Sequence, residues 1–435
     1  MRTTPRTRMT RRAAVGTAAM MLAVTACSSS DSGGGDDGGQ ITLTVGVFGQ
    51  FGLEEAGLYE EYMELNDNIV IEQTSVQENS DYYAALLTRL PTGSGLMDIQ
   101  AVEVGNIYEV TNELGQYFVD LNDYDVDTGH FMDWKAAQAT SEDGRVVGLG
   151  TDTGPMGLCY RTDYFEEAGL PTDREEVSEL WAGSWEDYIA TGEQFMSDGP
   201  DDVKWVDSPG GVFNAVVNGY EERFYNAAGE VSYKESQGVS DAWDIAMRAV
   251  DGEMTTKQAQ FTPDWERSVA NGDFATISCP PWMLGYIADK SGDAGKGLWD
   301  YAAAPQPGNW GGSFLTVTEA SQHKEEAVKL IEWLTAPEQQ VRLFTERGSF
   351  PSSEEAIANS EDEIQGVTHD YFADAPIGEL FTQAVDGIPT LIVGPRDQVI
   401  QEGLANGLLA ADTQGLDGDE AWDATVRSID NALDD

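Results

Sequence analysis

The stretch from Ile41 to Leu114 narrows the fold most, because its apolar spacing switches repeatedly between period two and period 3.6. Ile41–Phe48 alternates apolar and polar residues and predicts a strand. Residues 53–66 predict a helix, Ile69–Val76 a second strand, and 81–90 a helix with Tyr82, Leu86, Leu87 and Leu90 on one face. A Pro-Thr-Gly-Ser-Gly run at 91–95 stops that helix. Residues 98–104 predict a third strand, and Ile107, Val110 and Leu114 mark the helix after it. Strands alternating with helices imply an α/β fold with a mostly parallel sheet between helical layers. Ligands of such sheets bind beyond the carboxyl ends of the strands, here residues 49–52, 77–80 and 103–106.

The second half repeats this texture less cleanly. Residues 146–152 predict a short strand, 159–165 open a helix, and helical spacing recurs at 185–196, 240–250 and 264–271. Phe274–Ser278 predicts an apolar strand. Ala327, Leu330, Ile331 and Leu334 mark an amphipathic helix, and Trp422, Val426, Ile429 and Leu433 another.

The N-terminus carries an address. Arg2, Arg6, Arg8, Arg11 and Arg12 precede an apolar run, residues 13–26, that is too short to span a bilayer, which takes about 20 residues. Val-Thr-Ala at 24–26 leads into Cys27, the pattern of an export signal over 1–26 cut before a cysteine that becomes lipidated. The pair Arg11 and Arg12 leaves a twin-arginine route open beside the general one. Residues 28–39 hold only Ser, Asp and Gly, so 27–40 reads as a flexible tether. Beyond Cys27 only Cys159 and Cys279 remain, free to pair with each other or to stay as two buried thiols.

The chain has 24 Lys and Arg against 77 Asp and Glu, a formal net charge of −53. Phosphate binding needs the opposite sign, so nucleic acid is excluded as a partner. Such acidity suits a salty exterior, where ions screen the self-repulsion. Its 11 Trp, 16 Tyr and 15 Phe set it apart from acidic disordered chains, which are poor in aromatics.

A catalytic constellation does not emerge. The three histidines, His130, His323 and His369, show no metal spacing, and no nucleotide-cradling or nucleophile-elbow motif occurs. Asp123, Asp125 and Asp127 begin like a calcium loop, but Trp134 stands where the closing Glu belongs, so they read as an acidic loop. No catalytic residue, metal or cofactor is expected. A lipid-anchored glycoside hydrolase is the alternative, since paired carboxylates are abundant. Two indoles stand out in turn-rich segments: Trp282 after Cys-Pro-Pro at 279–281, and Trp310 before Gly-Gly at 311–312. An indole face packs on the C–H face of a pyranose. Core or interlobe packing is the plainer role for both.

Tyr82-Tyr83-Ala84-Ala85, Thr151 to Asp163 and Asn309 to Leu315 together resemble the extracellular solute-binding protein family 1, the sugar receptors of ABC importers. Residues 98–107, 278–285 and Gly394-Pro395-Arg396-Asp397 are similar to the cellobiose- and cellotriose-binding lipoproteins of Gram-positive bacteria. The resemblance implies a hinged, two-lobed, periplasmic-binding-protein-like fold of type II. Lobe one would be 41–151 plus 313–370 and lobe two 152–312 plus 371–435, with crossings near 150–154, 310–312 and 370. It implies a monomer on the extracellular face of the membrane, held through Cys27, passing an oligosaccharide to ABC permease subunits. It also implies ligand contacts at Gln50, Glu103, Asp152, Trp282, Trp310 and Arg396, with Phe213 as an aromatic wall. Gln50 stands where some relatives carry an acidic residue.

Overall fold

The computed structural model describes residues 39–434; the export signal, Cys27 and most of the tether lie outside the described residues. The strands are β1 (Ile41–Phe48), β2 (Ile69–Val76), β3 (Ile99–Glu103), β4 (Gly148–Gly150), β5 (Gly157–Arg161), β6 (Lys204–Val206), β7 (Phe274–Ser278), β8 (Trp299–Ala303) and β9 (Ser313–Val317). They form two sheets, β2-β1-β3-β9-β4 and β6-β7-β5-β8, one for each lobe.

The first three strands follow the sequence pattern closely. Leu43, Val45 and Val47 point into the core, and β1 pairs in parallel with β2 and β3. Parallel pairs need a crossover connection, which the helices Leu58–Leu65 and Asn79–Arg89 supply. The sheets are mixed, however, where the sequence predicts mostly parallel ones. Strand β9 runs antiparallel between β3 and β4, and β5 runs antiparallel between β7 and β8. Both reversed strands are entered straight from the other sheet, with no helix to turn the chain round. Residues 159–161 are therefore strand and not helix; the helix begins at Thr162. All five residues of β5 are buried, so no polar alternation betrays the strand.

The first core gathers Leu43, Val45, Ile99, Leu315, Leu330 and Ile331 around its sheet. The second gathers Leu158, Trp181, Trp205, Trp243 and Leu404, and a third cluster packs Cys159, Trp265, Ile277 and Trp299. The helix Pro337–Arg347 serves both lobes. Leu343 packs into the first core, while Val341 and Phe344 join the cluster of Phe274 and Ile277. By packing, the third change-over lies within this helix, ahead of the crossing near residue 370 expected from the sequence.

The other two crossings run side by side. The Trp310 N–H donates to the Gly154 carbonyl at 2.9 Å, the Met156 N–H to Gly308 at 2.9 Å, and the Gly154 N–H to Asn309 Oδ1 at 2.8 Å. A Cβ at Gly154 would meet the Trp310 carbonyl oxygen at 1.9 Å, so only glycine permits this approach. Thr153 adds the segment around Phe350 to the same ribbon, its N–H donating to the Phe350 carbonyl at 2.8 Å.

Two buried carboxylates fasten loops of the second lobe. Asp207 accepts from Gln260 Nε2 at 2.7 Å and Trp265 Nε1 at 2.8 Å, and burial pushes its carboxyl up to about 6. Asp397 pairs with Arg223 at 2.5 Å, and burial likewise pushes it up to about 6. Cys159 and Cys279 form a disulfide, Cα to Cα 5.4 Å, which ties β5 to the end of β7 across 120 residues of chain.

Two expectations follow from these features. Closing so long a loop contributes roughly 2–5 kcal/mol, so reductant should lower the unfolding free energy by that amount and the urea midpoint with it, and alanine at both cysteines should abolish the difference. An unchanged midpoint would mean the thiols do not pair in solution. The second concerns pH. A carboxyl whose folded pKa exceeds its unfolded value, about 4, holds its proton more tightly when folded, so stability falls as pH climbs from about 4 through about 6. Burial lowers His130 and His369, which acts in the opposite sense. Buried Asp152, Asp300 and Asp412 are raised as well, and the carboxyls prevail. The urea midpoint should be higher at about pH 5.5 than at about pH 7.5, and Asp207→Asn should shrink the gap. A midpoint that rises with pH would contradict this.

Candidate functional site

A cavity of about 450 Å³ lies between the lobes, bounded on one side by the carboxyl ends of β1, β2 and β3. Gln50, Gln77 and Glu103 reach it from the loops that the sheet pattern singles out. On the other side stand Trp282, Tyr286 and the face of the helix Asp397–Gln414 that carries Gln398, Glu402 and Asn406. The crossing ribbon, with Asp152 and Gly312, forms the floor.

Five of the seven residues expected from sequence line this cavity: Gln50, Glu103, Asp152, Trp282 and Trp310. Trp282 sits in the first turn of the helix Pro281–Gly295, started by Pro281 at a position that needs no N–H donor. Its indole meets that of Trp310 edge to face, centroids 5.3 Å apart, and its Nε1–H donates to the Trp310 carbonyl at 2.9 Å. The polar edge of Trp282 is thus used up inside the protein, which leaves its apolar face for a ligand. Gly311, with φ of 94°, lets the ribbon pass beneath that indole. Trp310 is only 8% exposed, so it combines interlobe packing with a small lining surface.

The other two expected residues stand elsewhere. Phe213 is 0% exposed, on the helix Pro209–Val217 inside the second core, and forms no wall of the cleft. Every residue of that helix is buried, so its sequence has no polar face from which to read orientation. Arg396 misses the main cavity and borders an adjoining recess of about 140 Å³ with Glu109 and Val399. The recess shares Asn79, Ser80, Gln398 and Glu402 with the main cavity.

Four lining aromatics, Phe48, Phe51, Phe261 and Tyr286, are not among the contacts expected from sequence, although Phe51 falls in the 49–52 loop. Tyr286 follows Trp282 by four residues on one helix face, a spacing that does carry a signal. Phe51 packs edge to face on Phe48 at 5.8 Å. Phe261 belongs to an irregular loop and carries no pattern; its ring lies 5.9 Å from Trp282 and 5.6 Å from Tyr286.

Glu103 caps the helix Val104–Asn112, accepting from the Gly105 N–H at 2.5 Å. Desolvation in the cleft wall pushes its carboxyl up to about 7 against the pull of that hydrogen bond, and Asp397 adds repulsion. Asp152 accepts from the Ser313 N–H at 2.9 Å and from the Thr151 hydroxyl at 2.6 Å. Burial raises it, while Lys135 draws it down. Lys135 is 1% exposed beneath the floor, its ammonium 4.0 Å from the centre of the Phe314 ring. Burial lowers Lys135 to about 8, opposed by Asp152 and Glu103. Among the described residues no group of three or more His, Cys, Asp and Glu could hold a metal ion. Flat apolar faces with amides and carboxylates around them suit a small, uncharged ligand that has both apolar faces and hydrogen-bonding edges.

Comparison with known proteins agrees with this two-lobed, cleft-bearing architecture. A family profile described as bacterial extracellular solute-binding protein matches residues 57–370. A crystal structure of an extracellular solute-binding protein of family 1 superimposes with a TM-score of 0.77, at 36% identity over 90% of this chain and 99% of its own. The lactose-binding protein of Rhizobium radiobacter is 26% identical over 354 residues, 74% of this chain and 81% of that protein. An ABC transporter-associated binding protein from B. animalis subsp. lactis, solved with β-1,6-galactobiose, shares the fold at a TM-score of 0.75 and 19% identity, over 89% and 96% of the two chains. The chain thus belongs to the bacterial extracellular solute-binding proteins, a family of binding proteins and not of enzymes.

Proposed function

We propose that this protein is the sugar receptor of an ABC importer, taking a short β-linked oligosaccharide into the interlobe cleft and passing it to the permease. The observation that carries the reading is the Trp282–Trp310 pair, with one indole face bared to the cavity opposite Gln50 and Glu103. Stacking on an indole and hydrogen bonds to amide and carboxylate are the two interactions a pyranose offers. The named relatives bind lactose and β-1,6-galactobiose, both β-linked. Cellobiose and cellotriose are the ligands that the resemblances at 98–107, 278–285 and 394–397 favour. Lactose and cellobiose differ in the configuration of one hydroxyl, so both belong in the test. In this reading Gln50, Glu103, Asp152, Trp282 and Trp310 touch the sugar, and Arg396 serves its end in the adjoining recess. The receptor works as a monomer outside the cell, on lipid carried by Cys27.

Calorimetry with cellobiose, cellotriose, lactose and maltose should find one ligand bound at about micromolar strength or tighter, near −8 kcal/mol. Trp282→Ala should weaken that complex by roughly 30- to 1,000-fold, the equivalent of about 2–4 kcal/mol. Trp422→Ala, which removes an indole packed on Trp243 at 5.1 Å, should lower stability and leave affinity unchanged. Failure of every sugar to bind would sink the reading; preference for maltose would keep the receptor and remove the β-linkage. Anchoring is tested separately. Acyl chains contribute about 0.8 kcal/mol per buried CH₂, so Cys27→Ser should move the protein from the membrane pellet to the medium. Quantitative pelleting of that variant would refute the anchor.

A further inference from the structure

Phe261 combines two features that no other lining residue with a side chain shares. It faces the cavity, and its backbone is left-handed, with φ of 66°. That conformation is unfavourable for any residue with a Cβ and more so for a bulky one, and it persists only where the surroundings over-determine it.

The surroundings do so here from both sides. Gln260, immediately before, is tied by Nε2 to buried Asp207 at 2.7 Å. Thr262, immediately after, donates its hydroxyl to the Ala259 carbonyl at 2.8 Å and caps the helix Pro263–Asn271, accepting from the Trp265 N–H at 3.4 Å. Trp265 is itself held by the same Asp207 oxygen, Nε1 to Oδ2 at 2.8 Å. One fully buried carboxylate therefore holds Gln260 just before Phe261 and Trp265 four residues after it. With the backbone so fixed, the ring is carried out of the loop to lie with Trp282 and Tyr286 at one end of the cleft.

We infer that Phe261 is a ligand-contacting residue of this cleft, an aromatic platform that Asp207 holds out through a strained backbone. The inference rests on the sugar-receptor reading and deepens it: the aromatic wall of lobe two is Phe261 beside Trp282, the place Phe213 does not fill. A ring held in advance costs little further ordering when the ligand arrives, which is how strain in the free protein becomes affinity.

The test uses the full-length mature chain with cellobiose and lactose as probes, and variants Phe261→Ala, Phe261→Gly and Phe261→Tyr. Affinity by calorimetry should fall about tenfold or more for Ala and Gly and stay within about threefold for Tyr. Urea unfolding should rank Gly above Ala in stability, the reverse of the usual order in an unstrained loop. Phe261→Ala within twofold of wild type would overturn the contact, and Ala more stable than Gly would overturn the strain. Should the wild type bind neither cellobiose nor lactose, nor any sugar of the wider panel, the receptor reading would fall, and this inference with it.

Discussion

The structure depends on two stretches of backbone lying against each other with no side chain between them. Gly154 accepts the Trp310 N–H, and its own N–H is taken by Asn309. That contact joins the lobes, and it also builds the site. It sets the Trp310 carbonyl where Trp282 donates to it, so the orientation of the main aromatic face is inherited from the crossing. Asp152 does the same on the polar side, since Ser313 of the neighbouring strand holds its carboxylate by a backbone N–H. Crossing and cavity wall therefore share atoms, and any rotation of one lobe must alter the lining of the cavity.

Charge sorts the ligands before any contact is made. A chain with 77 acidic and 24 basic residues repels anions at long range. The cleft follows the same sign, with Glu103 and Asp152 in its walls and Lys135 kept beneath the floor. Burial raises both carboxyls above their ordinary values, which weakens the negative field inside the cleft. A neutral, polyhydroxylated molecule meets least resistance there.

What could be read from the sequence follows from where each element is exposed. Strand β1 shows alternation because Leu43 and Val45 meet the core while Thr42 and Thr44 do not, so the loop after it, which holds Gln50, could be placed at a strand end. Glu103 lies where the predicted third strand gives way to a helix, and only the family resemblance singled it out from its neighbours. Strand β5 and the helix Pro209–Val217 are buried all round, so period and orientation left no trace, and Phe213 was misplaced for that reason. Phe261 was illegible for a different reason. The sign of φ is decided by Asp207, more than fifty residues earlier in the chain, and no local pattern records it.

The place of β9 has a consequence for the order in which the molecule can assemble. This strand sits between β3 and β4, yet it is made some 160 residues after β4. Until it arrives, both neighbours present open hydrogen-bonding edges and the first sheet is split in two. The second sheet cannot finish earlier than β8, which immediately precedes β9 in the chain. A chain emerging from its N-terminus thus has no complete lobe to rest on until about three quarters of it is out. Long-range pairings of this kind form slowly, so the growing chain stays open during just the interval in which an exported protein must remain threadable.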